Sequence, residues 1–254
     1  MAAHLPISQV VQVERPGARG RVVIVCEHAS NRFPLPYGTL GLTSAERCAH
    51  IAWDPGALGV ARGLARRLDT VLVRACTSRL IYDLNRPPHA AGAMAETSEI
   101  YPIPGNRGIT PDDRVGRTRA VYLPFHRRLQ AEIATRLARG ALDALITVHS
   151  FTPVYRGQRR EVEFGVIHDA DDGLARAIAD RDCGLVTRLN EPYSASDGVA
   201  HTLAMHATPF GLPHAMLEIR NDLIADDQAQ QAMADRLAPV IRSAIEEVAG
   251  CRAG

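Results

Sequence analysis

Apolar residues along this chain fall into short continuous runs separated by stripes of helical spacing. Val22-Val23-Ile24-Val25 is a β-branched run that predicts a buried strand over 21–27. Leu142-Asp143-Ala144-Leu145-Ile146-Thr147-Val148 predicts a second over 142–148. Shorter strand-like patterns occupy 70–75, 79–83, 161–168, 185–189 and 214–219, with an edge strand around Val10–Val13 after a ragged lead-in over 1–20. Thr43-Ser44-Ala45-Glu46 is a capping box that starts a short helix toward Ile51. Leu58, Val60, Ala61, Leu64, Ala65 and Leu68 form the apolar stripe of a helix over 56–68. A long helix is predicted over 113–139, and Pro124 inside it should kink or split it. Helices over 170–180, 199–208 and 226–249 complete the pattern. Strands and helices alternate from end to end, which predicts one three-layer α/β/α domain over 1–254 with a central mixed, mostly parallel sheet.

Two of the predicted strands end on histidines, and that is where chemistry enters. The first runs into Cys26-Glu27-His28-Ala29-Ser30-Asn31 and the second into His149-Ser150. In open α/β sheets, ligands bind at the carboxyl ends of the strands. Two imidazoles in matching positions there point to a metal site, although either ring alone also fits a hydrogen-bonded core histidine. A catalytic zinc takes three protein ligands and keeps one open position. Asp54 or Glu27 is the candidate third ligand. Asp54 precedes Pro55-Gly56 at a helix entrance, where it also fits an N-cap. Glu27 would turn to the opposite face if the strand persists through it. Glu218 closes the last predicted strand and is the candidate general base, against the alternative of a structural ion pair.

The segment Ser78-Arg79-Leu80-Ile81-Tyr82-Asp83-Leu84-Asn85-Arg86-Pro87 leads into a long Pro/Gly/Ala/Asn-rich stretch over 84–111, and loops of that length are usually functional. Asn85 and Arg86 suit an acidic substrate, with Arg79 or Arg220 in support, because guanidinium binds carboxylate through paired hydrogen bonds. Asp83 is placed to hold one of these arginines, and a surface salt-bridge cluster is the alternative. His126, after Tyr122-Leu123-Pro124-Phe125, either contacts substrate and the transition-state oxygen or sits satisfied in the core. His168, His201, His206 and His214 read as structural. Ser150 has no nucleophile-elbow glycines around it.

Composition narrows the classes. A formal charge of +1 with scattered arginines gives no electrostatic case for nucleic acid or an anionic membrane. Five cysteines without a CxxC pair read as reduced, mostly buried thiols. Met1–Gln9 lacks the pattern of a signal peptide, and no apolar run approaches a membrane span, so a cytoplasmic protein is expected.

Five segments in order carry a resemblance. They are Cys26–Asn31, Ser78–Pro87, Tyr122–His126, Val148-His149-Ser150-Phe151-Thr152-Pro153 and Glu218-Ile219-Arg220-Asn221-Asp222-Leu223-Ile224. Together they resemble the N-formylglutamate amidohydrolase family, in its Glu-His-Ala-Ser-Asn branch, from about residue 20 to 225. The resemblance implies a fold similar to zinc-dependent exopeptidases. It implies hydrolysis of an N-acyl amide, N-formyl-L-glutamate in histidine degradation being typical, with zinc or another divalent metal as cofactor. It also implies His28, Asp54 and His149 as ligands, Glu218 as base, and Asn85 with Arg86 as the carboxylate site. The expected partner is a small N-acyl amino acid, and oligomerisation is left open. Alternatives are a deacylase of other N-acyl amino acids or peptides, a non-catalytic N-acyl amino acid binder and, more distantly, a serine hydrolase.

Overall fold

The computed structural model describes residues 5–253, so the first four residues of the expected lead-in lie outside the described residues. In chain order the elements begin with β1 (Val11–Glu14), β2 (Val22–Cys26), α1 (Ser44–Cys48), α2 (Ala57–Arg67) and β3 (Val71–Ala75). A two-strand hairpin follows, β4 (Thr97–Ser98) and β5 (Tyr101–Pro102), then α3 (Pro111–Arg117) and α4 (Leu123–Ala138). After β6 (Ala144–Phe151) comes a second small hairpin, β7 (Val154–Tyr155) and β8 (Gln158–Arg159). The chain closes with β9 (Phe164–Ile167), α5 (Gly173–Ala179), β10 (Thr187–Leu189), α6 (His201–His206), β11 (His214–Arg220) and α7 (Asp227–Ala253).

Seven strands form one sheet in the order β1-β3-β2-β6-β11-β9-β10. β3, β2, β6 and β11 run parallel, as do β9 and β10; β1 and β9 each pair antiparallel to their inner neighbours. This is the mixed, mostly parallel sheet that the sequence predicts. The apolar run of β2 is explained by burial on both faces. Val23 and Val25 pack with Phe125, Leu129 and Ile133 of α4 on one side. Val22, Ile24 and Cys26 pack with Val60, Ala61 and Leu64 of α2 and with α7 residues on the other. From β2 the chain crosses to β3 on one side, whereas β6 lies on the other, so the sheet order reverses between β2 and β6. That reversal leaves a crevice at the carboxyl ends of the two strands.

Two expectations are corrected. Residues 79–83 form a turn and not a strand. Ser78 N donates to Arg32 O and Arg79 N to Ala52 O, so this backbone bonds to loops and joins no sheet. The strand expected to stop at Val148 continues to Phe151, which puts His149 inside β6. A π-turn over Thr118–Tyr122 interrupts the regular bonding of the long helix between α3 and α4, immediately before Pro124. All five cysteines are unpaired; Cys26, Cys76 and Cys183 are buried, and Cys48 and Cys251 are exposed. No helix among the described residues is long and apolar enough to cross a membrane.

Candidate metal centre and active site

Three central strands deliver the site. His28 follows β2 in a turn, His149 lies in β6, and Glu218 of β11 is the register partner of His149. Asp54 comes from the segment before α2, and its backbone N–H donates to His28 O at 3.0 Å, which ties the two loops together. Gly56, not Asp54, is the N-cap of α2, with φ 80° and no side-chain cap bond. A Cβ at Gly56 would lie 2.4 Å from Ile224 O, so only glycine permits this close approach. The Asp54 carboxylate is thereby free to turn toward the two histidines.

His28 Nδ1, His149 Nδ1 and Asp54 Oδ2 converge. The separations are 3.2 Å between the two nitrogens, 3.2 Å from His28 to Asp54 and 2.9 Å from His149 to Asp54. All three side chains are buried. Metal–ligand bonds of about 2.0–2.1 Å at tetrahedral angles separate ligand atoms by about 3.3 Å. The donor set therefore fits one face of a tetrahedral divalent-cation site. His28 and His149 have their second nitrogens against carboxylates. His28 Nε2 lies 2.7 Å from Asp83 Oδ1, and His149 Nε2 lies 3.2 Å from Glu27 Oε2, an ionic contact without hydrogen-bond alignment. Carboxylates in that position orient a ligating imidazole and raise its basicity.

Glu27 is accordingly not on the far side of the strand. β2 ends at Cys26, and the following turn places Glu27 behind His149 and His28 in front of it. Burial would raise the Glu27 carboxyl, but His149, Thr202 and His28 together outweigh burial and hold it below its usual range. Asp83 and Asp54 are likewise held low against their burial, Asp83 chiefly by Arg79 and Asp54 chiefly by His28.

Glu218 behaves in the opposite way. Burial pushes its carboxyl up to about 7, and Oε2 has no hydrogen-bond partner. Opposite it in β9 stands Gly165, where an added Cβ would lie 3.3 Å from Glu218 Cβ and 2.0 Å from Glu191 O. The missing side chain makes room for both. Glu218, His28, Asp54 and His149 all line a cavity of about 700 Å³, together with Asn85 and Arg86.

The remaining predicted residues divide. Arg79 lines the cavity but already bridges Asp83 Oδ2 (2.6 Å) and Asp54 Oδ1 (3.1 Å), so its charge supports the donor set. The Asn85 carboxamide bonds to Val199 O and accepts from Thr202 N (2.9 Å), leaving it a scaffold. Arg86 donates to Asp197 O (2.6 Å), and among the described residues no carboxylate pairs with it. Arg220 does not line the cavity; it bonds Asp222 (2.8 Å) and Glu163 (3.4 Å) and the carbonyls of Arg160 and Glu161. Ser150 Oγ donates to Pro55 O at 2.8 Å, a structural bond rather than that of a nucleophile.

His126 is also corrected. Its ring does not line the cavity, and both nitrogens are engaged, Nδ1 with His206 Nε2 (2.9 Å) and Nε2 with Leu84 O (3.0 Å). Burial first, then the neighbouring histidines, lowers its pKa to about 3 and that of His206 to about 4. Both rings stay neutral in the fold, while in the unfolded chain they protonate near 6.5. Stability is therefore full above about pH 6.5 and falls with pH toward 4, at about 1.4 kcal/mol per unit per ring. Urea unfolding at pH 5 should show a loss of about 2 kcal/mol per ring relative to pH 7. His206→Gln should flatten that slope; an unchanged slope would assign it to other groups.

Asp83, Glu27, Arg160 and Tyr193 complete the surroundings. Asp83 was visible in the sequence as a partner for an arginine, but not as a partner of His28. Arg160 and Tyr193 come from irregular segments with no motif to mark them.

A family model described as N-formylglutamate amidohydrolase matches residues 20–225. A crystal structure of a gene product from Agrobacterium tumefaciens is 48% identical, with a TM-score of 0.93, over 95% of this chain and 97% of that one. The crystal structure of an N-formylglutamate amidohydrolase from Ralstonia eutropha JMP134 is 17% identical, with a TM-score of 0.69, over 94% of this chain and 98% of that one; at this identity the likeness is one of fold. No curated protein matches the chain. With a model matched over most of its length, the chain belongs to the N-formylglutamate amidohydrolase family.

Proposed function

We propose that this protein is a metal-dependent hydrolase of the N-acyl amide of acidic amino acids, N-formyl-L-glutamate foremost. The observation that carries the reading is the pairing of unlike environments on adjacent strands. A charged, carboxylate-backed donor set stands beside Glu218, a buried carboxylate with a pKa near 7. Such a carboxylate is suited to accept a proton and return it at neutral pH.

His28, Asp54 and His149 would hold the cation, which when bound supplies Lewis acidity and eases deprotonation of water. Glu218 takes the proton of the attacking water. It then delivers that proton to the departing nitrogen as the C–N bond breaks, giving a carboxylic acid and the free amino acid. Arg79 and Asp83 keep Asp54 and His28 in place. Arg86, which lines the same cavity, anchors a substrate carboxylate. The lowered pKa values of Asp54 and Asp83 keep these groups ionised throughout.

The test is formate release from N-formyl-L-glutamate before and after chelation, with N-acetyl analogues alongside. Chelator-sensitive release restored by zinc supports the reading. Stoichiometric metal without release from any N-acyl amino acid refutes the substrate class. Arg86→Ala should raise KM for N-formyl-L-glutamate about 10–100-fold, the range of a lost charge-assisted hydrogen bond. It should change KM for an uncharged formamide little; equal effects on both would remove Arg86 from the carboxylate site.

A further inference from the structure

The cavity has a second unpaired guanidinium. Arg160 lines it from the end of the β7–β8 hairpin, and among the described residues no carboxylate pairs with it. Its guanidinium carbon lies 5.3 Å from the ring centre of Phe151, 4.7 Å from that of Tyr155 and 5.0 Å from that of Tyr193. Two donors are engaged, Nη1 with Thr152 O (3.3 Å) and Nη2 with the Tyr193 hydroxyl (3.1 Å). A guanidinium has five N–H donors, so three remain. The backbone beneath is fixed as well, since Arg220 donates to Arg160 O at 3.3 Å. Three aromatic faces hold the fork in one orientation, which lowers the entropy lost when it grips a planar anion. Tyr193, which Arg160 bonds, lines the same cavity as Glu218.

Arg79 and Arg220 have their charge matched by carboxylates. Arg160 and Arg86 alone among the cavity arginines are left without one. Two unmatched guanidinium groups on one cavity call for a ligand with two anionic groups. Resting on the proposed amidohydrolase reading, we infer that Arg160 is the specificity residue for the substrate's second carboxylate. On the acidic substrate already proposed, Arg86 would take one carboxylate and Arg160 the other.

The experiment compares kcat/KM for N-formyl-L-glutamate with that for the neutral isostere N-formyl-L-glutamine, in wild type, Arg160→Met and Arg160→Lys, by formate release. The Glu-over-Gln preference should fall about 10–100-fold in Arg160→Met, mostly through KM. Arg160→Lys should recover only part of it, since an ammonium lacks the planar fork. Arg86→Gln should lower both substrates together and leave their ratio intact. An unchanged ratio in a folded Arg160→Met protein, judged by its melting temperature, overturns the assignment while leaving the amidohydrolase reading intact. If wild type cleaves neither these compounds nor any other N-acyl amino acid, that reading fails, and calorimetric titration with glutarate decides the matter for Arg160. Binding by wild type that is lost in Arg160→Met supports the assignment; equal binding, or none by wild type, overturns it.

Discussion

Glu218→Gln should lower kcat on the order of 10³-fold, within the range for losing a positioned general base, while metal content stays at the wild-type level. The substitution preserves volume in a site where Glu218 is only 5% exposed, so packing should survive. The pH profile provides a second readout. Glu218 must be ionised to take a proton, and burial holds its pKa near 7. Activity in wild type should therefore rise with pH and level off above that value. A cation bound nearby favours the carboxylate form and would move the limb lower. In Glu218→Gln the limb should vanish from the residual rate. A residual profile with the same limb would assign it to another group. Retained wild-type kcat would remove Glu218 from the chemistry.

The second large effect concerns the carboxylates behind the histidines. His149→Ala removes one of three donors and leaves Glu27, 1% exposed, without the ring beside it. Metal affinity should fall by at least about 100-fold, beyond the roughly 10–100-fold typical of an outer partner. Stability should fall by about 3–5 kcal/mol, because an uncompensated charge remains buried. Glu27→Gln alone should weaken metal binding about 10–100-fold, since Glu27 acts only through the imidazole. The double variant should regain most of the stability but none of the metal affinity. Calorimetric metal titrations and urea melts separate the two effects. Wild-type metal affinity in His149→Ala would exclude His149 from the donor set, and an undiminished affinity in Glu27→Gln would reduce Glu27 to a structural role.

What could be read in the sequence was local. Residue type and short-range periodicity identified β2, β6 and β11 as buried strands, and two of them carry His28 and His149 at or near their ends. Glu218 was readable for the same reason, being the carboxylate in an otherwise apolar run. A proline inside a helical stripe announced the break before α4. These inferences rest on backbone geometry and on burial that repeats every two or 3.6 residues, so no distant contact is needed to make them.

The dense motif over residues 78–87 was read less well, because its meaning depends on long-range partners. Its backbone bonds to residues 32 and 52 and joins no sheet, and that brings Asp83 to His28. Arg79, Asn85 and Arg220 were readable as anion binders from residue type alone. In the fold, carboxylates or backbone groups already occupy them. The same competition engages both nitrogens of His126 in the core and leaves Arg160, in a loop without a motif, facing the cavity. The alternation of strands and helices and the ligand types at the strand ends are legible from residue order, since both follow from local burial and hydrogen bonding. Which charges remain unmatched, and thus open to substrate, depends on long-range packing. An ionic group's function depends on which partners packing brings within a few ångströms, and those partners lie far away along the chain, 121 residues in the case of His28 and His149.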